Sequence, residues 1–152
     1  NSTLSKRMGI TPAMAVHFYV LSRIIERIGD HAELIMANAG PLFSREVNDE
    51  ILEKIAKASE LSLDIFDRSI VSFFNRDMKQ AHRAIESLQM LEKLCDEINS
   101  PVLRQETSDA IALGSIIGSI RRAGEYSADI SENVINYVVE EEQPVAVKRT
   151  RR

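Results

Sequence analysis

The chain has 152 residues, 44% hydrophobic and 28% charged, the balance of one soluble domain with a sizeable core. Its formal net charge of -4 argues against nucleic acid as the main partner of the folded body. Six Gly and four Pro leave long uninterrupted segments, which favours helices over a many-stranded sheet.

Residues 1–11 read as a flexible lead-in that starts at Asn1 rather than Met, as a fragment or a processed product would. Thr11-Pro12 then reads as an N-cap followed by proline in the first helical position. The first helix is predicted to run to about Asn38, where Gly40-Pro41 stops it, with the apolar stripe Phe18, Leu21, Ile25, Ile28, Ala32 and Ile35. A second helix is predicted from about Arg45 to Asn75, with the stripe Leu52, Ile55, Leu63, Phe66, Ile70 and Phe73. Asn75-Arg76-Asp77 reads as a tight corner, and Asp77 as the N-cap of a third helix that ends or kinks at Ser100-Pro101. Its stripe is Ala81, Ala84, Leu88, Leu91, Cys95 and Ile98. The fourth helix is predicted from Glu106 to Ser108 as far as about Glu141. No strand pattern of period two survives, so the fold class is all-α, an antiparallel bundle of four principal helices.

Cys95 is the single cysteine, so no intrachain disulfide forms and a reducing compartment is expected. On its apolar stripe it reads as a buried inert thiol rather than a nucleophile. The apolar run Ala110 to Ile120 is eleven residues, far short of the roughly 20 a membrane span needs. Gly114 and Gly118 within it predict close helix packing. The tail 142–152 turns from acidic to basic at Lys148, Arg149, Arg151 and Arg152 and reads as disordered and solvated, with nucleic acid or a membrane surface as the sharper alternative.

The first and last helices resemble each other. Laid ninety-nine residues apart, Arg23 falls on Arg122, Glu26 on Glu125, Asp30 on Asp129 and Glu33 on Glu132. Apolar positions are trimmed in the second copy: Ile25 becomes Gly124, Ile28 becomes Ser127 and Ala32 becomes Ser131. This is a weak internal repeat. Glu and Asp at i and i+4 share one helical face, where they repel by a few tenths of a kcal/mol. A multivalent cation with a taste for oxygen reverses that sign, so Glu26, Asp30, Glu125 and Asp129 are candidate ligands for iron, zinc, manganese or magnesium. The ordinary alternative is ion pairing with Arg23 and Arg27. Glu60/Asp64 and Glu92/Asp96 repeat the spacing and read as solvated faces. His31 reads as a ligand or a surface hydrogen bonder, and His17 as a packed histidine. No Glu-x-x-His pair, phosphate-binding glycine loop or nucleophile-His-Asp set stands out.

The string IERIGDHA at Ile25 to Ala32 resembles the motif helix of PhoU proteins, the phosphate-uptake regulators, where it reads much like "LERIGDHA". The resemblance implies two three-helix bundles in tandem, and the ninety-nine-residue offset fits that repeat. On this basis residues 12–40 are the last helix of a first repeat and 45–141 a second repeat, about two thirds of a family member, with archaeal relatives that carry a DNA-binding domain ahead of the PhoU part. It further implies a cytoplasmic regulator that is not an enzyme, adapting a phosphate ABC transporter to a phosphate-sensing histidine kinase. Metal clusters held by the motif carboxylates are implied too, although GEYSADIS around Glu125 and Asp129 departs from the family string. A homo-oligomer is expected, with no direct nucleic-acid binding by this segment and no transmembrane segment. A structural oligomerisation bundle and an enzyme built on a carboxylate-held metal are the other classes.

Overall fold

A computed structural model of the chain describes residues 9–142. The lead-in before Gly9 and nearly all of the basic tail lie outside them. Four helices account for most of the described chain: α1 (Pro12–Ala39), α2 (Asp49–Asn75), α3 (Met78–Val102) and α4 (Thr107–Glu142). A 3-10 turn, Gly40–Ser44, follows α1 on the way to α2. Among the described residues there is no strand.

The boundaries follow from local chemistry. Thr11 Oγ1 accepts the Met14 N–H at 3.1 Å, and Pro12 takes the first helical position, where a missing N–H costs nothing. Asn48 caps α2 through Glu50 N–H at 2.8 Å, so α2 begins four residues later than predicted. Arg76 adopts φ 55° and the left-handed conformation that closes α2, and Asp77 accepts the Gln80 N–H to open α3. Pro101 does not end α3. It sits inside the last turn, where the helix has one further residue to run.

α2, α3 and α4 pack against one another as a three-helix bundle, and α1 lies along α4. Short corners make α2 and α3 antiparallel, and α3 and α4 likewise. α1 also runs antiparallel to α4, because His17 meets Asn133 and Glu140 while His31 meets Tyr126. α4 is therefore the central element. Its Leu113, Ile117, Ile120, Ile130 and Val134 are buried.

The third stripe is found as predicted, with Ala81, Ala84, Leu91, Cys95 and Ile98 fully buried. Burial pushes the Cys95 thiol up, so it stays protonated and inert, with Arg121 opposing. The first two stripes are corrected. On α1 the buried line is His17, Leu21 and Ile24, continued by half-buried Ile28, His31 and Ile35; Phe18, Ile25 and Ala32 are exposed. On α2 Phe73 is buried as expected and Ile55, Phe66 and Ile70 are half-buried, but the rest of the bundle face is Ile51, Ala58, Ser62, Ile65, Ser69 and Ser72, and Leu52 and Leu63 are exposed. Small polar residues suit this face because the helices come close. Ser69 and Ser131 share a hydrogen bond of 2.8 Å between their hydroxyls, and Ser62 donates to the Ile120 carbonyl at 3.0 Å. At Gly124 a methyl group would meet Leu91 Cδ2 at 2.2 Å, so any side chain there must displace the fully buried Leu91. Gly114 and Gly118, expected at a close helix contact, are exposed and have open space beside them.

Candidate functional site

The two copies of the repeated segment pack on each other. α1 and α4 run antiparallel, and the cross-helix partners of 17, 27 and 31 are 133, 126 and 126, so the segment around Glu26 and Asp30 opposes that around Glu125 and Asp129. His17 anchors one end of this seam. Its Nδ1 is 2.7 Å from Asn133 Oδ1, its Nε2 3.3 Å from the Glu140 carboxylate, and its ring lies 4.6 Å from that of Tyr137. Further along, the Arg27 guanidinium sits 5.6 Å from the centre of the Tyr126 ring, within cation–π range. The His31 ring lies 5.7 Å from the same tyrosine, and its Nδ1 is buried with no hydrogen-bond partner.

The four candidate carboxylates divide into two sets. On α1, Glu26 is exposed and ion-paired with Arg23, one turn before it, and Asp30 is exposed. On α4, Glu125 takes the Arg122 guanidinium at 2.8 Å, in the same i,i+3 arrangement. The repeat thus carries its ion pair as well as its acids. Asp129 has no such cation in contact. Burial, then Glu132 and Glu125, push its carboxyl above the usual carboxylate range, and Arg27 from α1 opposes them.

The fold therefore brings the two helices together without joining their acids into one four-carboxylate centre. Among the described residues no three His, Cys, Asp or Glu side chains converge as a metal ion would need. On α4, Glu125 and Glu132 repel the Asp129 carboxylate along two turns of one face without the three converging on a point. Asp64 and Asp96 are taken up by Arg68 and Arg121, in keeping with their reading as solvated faces.

The model of the PhoU domain family matches residues 55–134, more than half of the chain. The chain belongs to the PhoU family. No curated protein and no solved structure matches it. The PhoU match begins in α2 and ends in α4, so it contains Glu125 and Asp129 and leaves α1, with the more faithful string around Glu26 and Asp30, outside. PhoU proteins form a regulatory family of phosphate transport, not an enzyme family. Among the described residues no helix is long and apolar enough to cross a membrane.

Proposed function

We propose that this chain is a regulatory adaptor of phosphate uptake and phosphate-starvation signalling, which works by binding proteins rather than by turning over a substrate. The observation that carries this reading is the PhoU match over residues 55–134, which falls on the three helices of the bundle. Residues 12–40 are then the last helix of a first PhoU repeat and 45–141 a second repeat, with α1 docked on α4 as a fourth helix. The partners proposed are a component of a phosphate ABC transporter and a sensor histidine kinase, in the cytoplasm. The single, buried Cys95 is in keeping with a reducing compartment. Self-association belongs to the same proposal.

A divalent or trivalent cation is proposed at the motif carboxylates. Glu125 and Asp129 on α4 would hold it, and Glu26 and Asp30 on α1 form the second candidate pair. The cation would cancel like charge on one helix face and so could tie the ordering of α4 to metal supply. The functional test is phosphate uptake in cells lacking this protein and supplied with ample phosphate. Uptake should stay high without it and fall again when the chain is restored. Uptake that follows external phosphate normally in its absence counts against the proposal.

A further inference from the structure

From Ala15 to Met36 on α1, the residues that are not exposed are His17, Leu21, Ile24, Ile28, His31 and Ile35. They follow one another at strictly alternating intervals of four and three, the seven-residue repeat of a coiled-coil seam. Along the same seam α4 carries Ile120, Ala123, Ser127, Ile130, Val134 and Tyr137, at intervals of three and four. Two lines so regular do not fix which turn of α1 meets which turn of α4. A slip of one heptad, about 10 Å along the axis, would still lay apolar line on apolar line.

Polar groups on the seam can decide between such positions, because each has a partner at one register and none at the next. His17, only 8% exposed, is the polar residue of α1 that finds partners on α4. Asn133 holds it twice. Its Nδ2 donates to the His17 backbone carbonyl at 3.4 Å, which turns Oδ1 toward the ring, and His17 Nδ1 donates to Oδ1 at 2.7 Å. Glu140 lies 3.3 Å from Nε2 but stands mostly in water, so it adds little. The other polar groups on the two lines do not discriminate. His31 finds no partner for its buried Nδ1, and Ser127 turns its hydroxyl to the Ala123 carbonyl of its own helix.

We propose that His17 and Asn133 set the register of α1 on α4, holding it at one of the positions that the apolar repeat alone would allow. A slip of one heptad puts Asn133 opposite Ile24 in one direction and His17 opposite Tyr126 in the other. Either leaves a buried polar group without its partner, which costs more than the bond itself contributes. If α1 is the last helix of a first repeat, the same pair sets where that repeat sits on the second. The register claim stands on the seam and does not need that reading.

The test reads register as a distance in the full chain. Nitroxide labels go on cysteines placed at Glu33 of α1 and Asn136 of α4, both exposed; Cys95 is wholly buried. Electron–electron dipolar spectroscopy gives the distance, and hydrogen exchange shows whether α1 is docked. With the native pair the labels should give a single distance. His17→Leu with Asn133→Leu should leave α1 amides at least as protected and add a second distance displaced by about 10 Å, one heptad. His17→Gln keeps a donor for Asn133 and should keep the single distance. Leu21→Ala loosens the seam without touching the pair, so protection of α1 should fall while the single distance stays. The proposal is overturned if the double leucine variant keeps the original distance alone. It is overturned equally if that variant frees α1, since the pair would then supply affinity and not register, or if Leu21→Ala brings in the second distance.

Discussion

Asp129 is, of the four candidate carboxylates, the one whose proton is held more tightly than usual. Its carboxyl is pushed up first by burial and then by Glu132 and Glu125, so the folded chain holds that proton more tightly than the unfolded chain does. For such a group the stabilising contribution is fully present below the unfolded carboxylate range and is lost as pH rises through the folded value. Asp129→Asn removes the charge that is penalised above that window. Thermal melts should therefore show the variant more stable by a few tenths of a kcal/mol at pH 7, about 1 °C, and no more stable near pH 3. A cation at Glu125 and Asp129 adds a second signature. Magnesium, manganese, zinc or ferrous iron should raise the melting temperature of the wild type, a chelator should reverse it, and Asp129→Asn should lose most of the response. Asp30→Asn asks the same of the α1 pair and should lower bound metal with the fold intact. A wild type that takes up none of these metals would remove the metal proposal and leave the adaptor reading standing. Gly124 gives a contrast without charge. Alanine there gains up to about 1 kcal/mol of helix propensity but drives a methyl group into the fully buried Leu91, for which overpacking costs about 1–3 kcal/mol. Gly124→Ala should lower the melting temperature by roughly 2–4 °C, whereas Gly118→Ala, into open space, should raise it. The same sign for both would contradict the packing described.

At the scale of elements, α1 depends on α4 for its burial. Leu21 and Ile24 are the buried apolar side chains of α1, and His17 adds its hydrogen bonds at one end. Leu21→Asp places a charge in that contact, and α1 should detach while α2, α3 and α4 remain folded. Hydrogen exchange read helix by helix should show α1 amides losing protection and those of α3 keeping it; uniform loss would mean that the four helices unfold as one unit. How far each helix was legible depended on what its buried face is made of. α3 buries Ala84, Leu91, Cys95 and Ile98, all apolar, so periodicity found it directly. α2 buries Ser62, Ser69 and Ser72, so the hydrophobic period picked out the exposed Leu52 and Leu63 instead. On α1 the buried line includes His17 and half-buried His31, which shifted the reading by one residue to Phe18 and Ala32. Helix starts were legible at the capping side chains of Thr11 and Asp77, but not at Asn48, whose cap opens α2 four residues after Arg45.

At the scale of the molecule, the all-α bundle follows from four long amphipathic segments joined by short corners, and sequence sufficed for it. The likeness of the first and last helices was visible too, because Glu26, Asp30 and Glu33 recur at Glu125, Asp129 and Glu132. That the two would lie side by side and antiparallel was not, because periodicity within a helix carries no information about which helix it will meet. Nor does it show that the close approach at Gly124 and Ser131 is what trimmed the second copy. The central claim is that a PhoU bundle of this kind couples to phosphate transport by direct protein contact. The most direct measurement is cross-linking of the tagged full chain in its own cells, then affinity purification and quantitative mass spectrometry against an untagged control, in low and ample phosphate. The account predicts enrichment of a phosphate ABC transporter component or of a phosphate-sensing histidine kinase, with the yield changing between the two conditions. Enrichment of neither, in both conditions, would contradict it.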